Sequence, residues 1–141
     1  MTTWDSYIDN LIAQSKDASG IAHTDKACII GLDGGAKWTT DQHPNALKLM
    51  PREAESIAKC FKEKFFTPFM TDGVHVEGLY HVFLREDFNG KIVYAKRQFY
   101  GVTLHASKTA IVIGRTAEGM QQGNTNKAVA AIAGYLESLN M

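Results

Sequence analysis

The sequence predicts an α+β fold, with a central antiparallel β-sheet, the N- and C-terminal helices packed side by side on one face, and a smaller helical layer on the other. Three observations predict it. Apolar residues recur at helical spacing near both ends; β-branched and aromatic segments parted by short turns fill residues 74–116; and 141 residues suffice for one sizeable core, not two. Residues 1–141 are therefore expected to form a single domain.

In the first helix, Trp4, Tyr7, Ile8, Leu11 and Ile12 fall at i, i+3, i+4, i+7 and i+8, Thr3 can cap the first turn, and the helix ends before Gly20. Next, Ala27 to Leu32 reads as a buried strand, Asp33-Gly34-Gly35 as a tight turn and residues 36–40 as the returning strand, so a hairpin is predicted. Pro51 suits a first helical turn. Ala54, Ile57, Ala58, Phe61 and Phe65 continue with helical spacing, giving a helix over 51–64. From Val74 the period shortens, and breaks at Asn89-Gly90 and 106–109 leave strands near 75–86, 91–98, 100–106 and 109–114, an antiparallel meander. Residues 117–126 form a polar, glycine-rich loop, and Ala128, Val129, Ile132, Ala133 and Leu136 mark the last helix.

Composition narrows the function. With 45% apolar and 21% charged residues the chain is an ordinary globule. No apolar run reaches the roughly 18 residues of a membrane span, and the acidic, polar opening is unlike a signal peptide, so a cytoplasmic location is expected. Cys28 and Cys60 lie in apolar segments without CxxC spacing and read as reduced, buried side chains. Net charge is zero, which argues against a nucleic-acid binder. The charge is nevertheless uneven: residues 1–84 carry 8 basic and 11 acidic side chains, residues 85–141 carry 7 and 4, and Phe88 to Ala117 holds Lys91, Lys96, Arg97, Lys108 and Arg115 with no acid. An acidic partner can dock there.

Catalytic motifs are weak. Gly31 to Lys37 resembles a phosphate loop, but Ala36 stands where the glycine before the lysine belongs and Trp38 where the hydroxyl residue belongs. His75, Glu77 and His81 would share a face of a continuous strand, as metal ligands or a small hydrolase site require, yet a solvated strand face gives the same pattern. His23, His43 and His105 have no partner at motif spacing. No enzyme, metal or cofactor is expected.

The aromatic residues say more. Trp4 and Tyr7 lie one helical turn apart, where the rings either cap the core or line a surface groove. Trp38 and Tyr135 would complete a cluster if the terminal helices lie beside the hairpin.

The opening Thr3-Trp4-Asp5-Ser6-Tyr7-Ile8-Asp9-Asn10, an acid-flanked Trp-x-x-Tyr motif, resembles the start of profilins. Ile30-Gly31 with Trp38, Asp72-Gly73, Arg85-Glu86, Ile113-Gly114-Arg115, Gly119 to Gly123 and Asn126-Lys127 follow in that family's order. The resemblance implies a two-faced binding module. Trp4, Tyr7, Trp38, Tyr135 and Met141 would form a poly-proline groove, and Arg85, Lys96, Arg97, Met120, Gln121, Asn126 and Lys127 would hold monomeric actin. The implied partners are actin, proline-rich proteins such as formins, and phosphatidylinositol phosphates, bound weakly. The implied action on actin is to sequester and deliver monomers and to promote nucleotide exchange. A polyproline II helix offers flat surfaces and carbonyl acceptors, which indole and phenol rings complement with apolar area and one donor each. Profilins often end in an aromatic residue; Met141 can pack but cannot donate, and Tyr135, in place of a histidine found in some relatives, restores a donor nearby. The segment from Trp38 to Phe65 is longer than in many relatives. A small-ligand sensor on a similar sheet is the alternative of a different class.

Overall fold

The computed structural model describes residues 4–141, so the expected Thr3 cap lies outside the described residues. The elements are α1 (Ser6–Gln14), β1 (Thr24–Gly31), α2 (Pro51–Glu63), α3 (Thr67–Asp72), β2 (Val74–Val76), β3 (Leu79–Asp87), β4 (Ile92–Arg97), β5 (Tyr100–Ala106), β6 (Ala110–Thr116) and α4 (Gln122–Ser138). The strands make one antiparallel sheet in the order β1-β6-β5-β4-β3-β2.

Each face of the sheet has its own core, because successive strand residues point to opposite sides. Ala27 and Ile29 of β1 and Ala110 and Val112 of β6 pack with Ile8 and Leu11 of α1 and with Val129, Ile132 and Leu136 of α4. Cys28 and Ile30 of β1 and Ile111 and Ile113 of β6 face Ile57 and Phe61 of α2 and Phe69 of α3. The terminal helices thus share one face and α2 and α3 cover the other, as the sequence predicts. Helix α4 lies so close to β6 that a Cβ at Gly114 would stand 2.8 Å from Val129 Cγ2.

Helix α1 ends before Gly20, as expected, at Gln14, where the Ser15 hydroxyl accepts the N–H groups of His23 and Thr24 and donates to the Ile12 carbonyl. Other elements differ from expectation. The hairpin does not form: β1 pairs with β6, and the chain after Gly35 touches β1 only locally. Trp38 N–H donates to the Ile29 carbonyl at 2.9 Å, and Thr39 Oγ1 accepts the Ile29 N–H at 3.1 Å, so a side chain replaces the ladder. Farther on, Ala27 N–H reaches the Asn45 carbonyl and Leu47 N–H the Ala27 carbonyl, so an irregular loop covers the β1 edge of the sheet.

Helix α2 matches its predicted span. Its cap comes from Glu53, whose buried carboxylate accepts the N–H groups of Met50, Glu77 and Gly78. The predicted strand 75–86 is broken at Glu77-Gly78, both at positive φ, which creates the short edge strand β2. Helix α3 is an addition that the sequence reading did not predict, and α4 starts at Gln122, inside the predicted loop. The sheet curls until Glu77 approaches the opposite edge, within 3.5 Å of Lys26 Nζ and 3.8 Å of Arg115 Nη1, while Arg115 makes two bonds to Asp25.

Candidate functional site

Trp4, just before α1, and Tyr7, in its first turn, are half-buried, and Ile8 and Leu11 beside them are buried. Trp38 enters from the loop along β1. Its indole Nε1 lies over Gly31, where a Cβ would come within 3.2 Å, so the missing side chain leaves room for the ring. Tyr135 projects from α4 and is 53% exposed. The four rings form one row. Trp38 to Trp4 is 4.8 Å between centroids, Trp4 to Tyr7 5.0 Å and Tyr7 to Tyr135 6.2 Å, all tilted by 41 to 50°.

The structure therefore brings Trp4, Tyr7, Trp38 and Tyr135 together, each ring half-buried or exposed. The side chain of Met141 packs on the same core as Trp4, Tyr7 and Trp38. Its main chain is held by Leu136 and by the β5–β6 turn: Met141 N–H donates to the Leu136 carbonyl at 2.9 Å, and its main-chain oxygen accepts from the Ser107 and Thr109 hydroxyls at 3.1 and 2.8 Å. Burial, reinforced by Tyr135, raises the Tyr7 pKa, so its phenol is a neutral hydrogen-bond donor at pH 7. Chemically the row offers flat apolar area edged with hydroxyl and indole donors, and nothing nucleophilic.

The second set lies on the other half of the same sheet face. Helices α1 and α4 cover β1, β6 and β5, and leave β3 and β4 open. Across this open face the register aligns Arg85 with Tyr94 and Tyr94 with Thr103, whose hydroxyl donates to Asn126 Oδ1 on α4. A parallel row runs from Val82 to Lys96 to Gly101, on which the Gln122 side chain rests. Arg85 stacks over the Tyr94 ring at 4.6 Å. Met120, Gln121 and Lys127 are exposed where α4 begins, and Gln121 N–H donates to His23 Nδ1 at 2.9 Å.

Arg97 separates from the set. Next to Lys96 on the strand, it points to the opposite face, donates to the Tyr80 carbonyl at 3.4 Å and lines a cleft with Glu77, Tyr100 and Arg115. Sequence reasoning missed Val82 and Leu84, which are 50 and 51% exposed beside the basic residues. Their alternation with His81 and Phe83 is the signal that could have found them, once β3 is known to lie beyond the helices.

The other motifs do not assemble. His75 is exposed and bonded to the Asp72 carbonyl, His81 is buried and bonded to the Leu79 carbonyl, and Glu77 is occupied by Lys26, Arg115 and the Lys48 N–H. No group of three metal-ligating side chains occurs among the described residues. Burial pushes the thiol pKa of Cys28 and of Cys60 upward, which keeps both protonated and unreactive.

A profile of the profilin family matches residues 2–141. The chain belongs to the profilin family. A profilin from Clypeaster japonicus is 65% identical over 140 residues, covering 99% of both chains. Among solved structures, profilin II of Acanthamoeba castellanii superposes with a TM-score of 0.78 at 27% identity, over 99% of this profilin and all of that chain. Mouse profilin IIa in complex with a double repeat from the FH1 domain of mDia1 superposes with a TM-score of 0.70 at 22% identity, over 99% and 100% of the two chains. That likeness concerns the fold; the family rests on the sequence match.

Proposed function

We propose that this profilin is a cytoplasmic, single-domain adaptor that binds actin monomers on the open β3–β4 face and proline-rich segments on the aromatic row. The observation that carries the reading is the row itself: four rings in contact, drawn from both terminal helices and the loop along β1, with their outer surfaces in solvent. A preformed polyproline II segment loses little entropy on docking, and stacking on such rings needs no backbone donor from it. The complex of mouse profilin IIa with an FH1 repeat supports a formin-type partner. Profilins as a family are actin-binding proteins without enzymatic chemistry, so this chain acts by position: it sequesters monomers, delivers them to elongation factors and promotes nucleotide exchange on actin.

Arg85, Lys96, Met120, Gln121, Asn126 and Lys127 are the actin-contacting residues on this reading; Arg97, which points to the opposite face, is not among them. Exposed Val82 and Leu84 add apolar area between the charges. The same basic groups bind phosphatidylinositol phosphates weakly, since a local patch on a neutral protein is easily screened. Poly-L-proline titration tests the groove. Both tryptophans of the chain, Trp4 and Trp38, stand in the row, so their emission should change and saturate. Unchanged emission up to millimolar proline residues overturns the groove, and failure to retain actin monomers in a pull-down overturns the adaptor.

A further inference from the structure

The acids of the opening motif, Asp5 and Asp9, are not used by the function described above. Asp5 stands immediately before α1, where an acidic side chain ordinarily caps the helix, yet it makes no capping bond. Its carboxylate instead takes two donors from the loop beyond Trp38: the Thr40 N–H reaches Oδ1 at 2.6 Å and the Thr40 hydroxyl reaches Oδ2 at 2.6 Å. These two bonds, the hydroxyl's first, hold the Asp5 carboxyl below its ordinary pKa. One turn later Asp9 Oδ1 lies 2.9 Å from His43 Nε2, and His43 Nδ1 accepts the Asn45 N–H at 2.9 Å.

The loop that carries Trp38 needs such ties because it is not a strand. On one side it holds β1 through Trp38 N–H and Thr39 Oγ1 at Ile29; on the other, Thr40 and His43 hold α1. Trp38 belongs to the first set through its own N–H, stands two residues before Thr40, and meets Trp4, the residue before Asp5, at 4.8 Å. The Ile29 bonds hold Trp38 to β1, and the Thr40 bonds tie the next stretch of the loop to Asp5, beside Trp4, so losing the latter loosens Trp4 and Trp38 relative to one another.

We propose that Asp5 is a positioning residue of the aromatic row: by clasping Thr40 it fixes Trp38 against Trp4 and so sets the affinity for proline-rich ligands without touching them. Asp9 and His43 hold the far end of the same loop. The inference rests on the groove reading given above, and it assigns to the acid-flanked motif a role separate from that of its rings.

The test compares wild type, Asp5→Ala, Thr40→Val and Thr40→Ser, using poly-L-proline as the probe, near-ultraviolet circular dichroism to follow the paired indoles, thermal unfolding, and actin-monomer binding. Asp5→Ala should weaken poly-L-proline about tenfold and Thr40→Val about threefold, the scale of lost bonds to a charged group. Thr40→Ser keeps both donors and should restore wild-type affinity. The indole dichroism should change with the affinity, while cooperative unfolding and actin binding stay as in wild type. Because both residues act through one contact, the double variant should be no weaker than Asp5→Ala alone. Wild-type affinity in Asp5→Ala, or in Thr40→Val should Asp5→Ala fail to fold, overturns the clasp while leaving the groove intact. Wild-type protein that does not bind poly-L-proline overturns the groove and this inference with it.

Discussion

Trp4 has a face in the core and a face in water, so its substitution should separate two roles. Trp4→Ala removes the ring that touches both Trp38 and Tyr7, and poly-L-proline affinity should fall by more than about tenfold, with actin-monomer affinity retained. Tyr7→Phe keeps the stacking and loses one donor, about 1 kcal/mol, or about fivefold in affinity by fluorescence titration. The histidines make a pH prediction. Burial holds the imidazoles of His81 and His105 below their ordinary pKa, and the buried Nδ1 of His105 has no partner among the described residues. Below about pH 6.5 the unfolded chain binds protons that the folded chain refuses, so stability is full above that pH and is lost as the pH falls through it. The urea midpoint should drop between about pH 7.5 and 5.5, and His105→Leu should flatten that drop. The carboxyls of Asp5, Asp17 and Asp33 are held low by hydrogen bonds, and their contribution disappears only in a separate window below about pH 4.

At the scale of elements, two junctions set the geometry of the site. Gly114→Ala would drive a methyl into Val129 on α4; overpacking of this kind costs about 1–3 kcal/mol, readable as a lower denaturation midpoint without loss of the far-ultraviolet signal. Glu53→Ala would leave the N–H groups of Met50, Glu77 and Gly78 without their acceptor and should cost about 3 kcal/mol in the same measurement, while Glu53→Gln recovers part of it. The helices α1, α2 and α4 were legible because a 3.6-residue apolar stripe is a local property, and the meander because its turns carry Asn-Gly and Ser-Lys-Thr signals. The hairpin after Gly35 misled because strand partnership is not local: β6, about 80 residues away, supplied the ladder that residues 36–40 were predicted to supply. The break at Glu77-Gly78 was hidden because the left-handed conformation of Glu77 is supported by distant partners, Glu53, Lys26, Arg115 and the Lys48 N–H. In the same way the first turn of α4 read as loop because its glycine and asparagines are poor helix formers, and its support comes from Gln122 and Asn126 bonding to β5.

The molecule as a whole keeps its two candidate surfaces on one side of the sheet, the aromatic row beside β1 and the basic face over β3 and β4. They differ in character, and ionic strength should tell them apart. Poly-L-proline affinity should change by less than about twofold from low salt to about 0.3 M, whereas actin affinity, if carried by Arg85, Lys96 and Lys127, should fall steadily over the same range. The sequence exposed this division only in part. The rings were found by motif and resemblance, Lys96 and Arg97 by charge count, and Arg85 and Lys127 by resemblance, but the opposite directions of Lys96 and Arg97, and the bare Val82 and Leu84 on the neighbouring strand, follow from strand order and register. The margins of the sheet carry a last consequence. One ends in β2, only 3 residues long, and the other lies beneath the loop that delivers Trp38. At the second margin no long ladder is left for a neighbouring copy to extend, whereas β2 covers β3 only at Leu79, Tyr80 and His81, so any joining of sheets between copies is confined to the part of β3 beyond it.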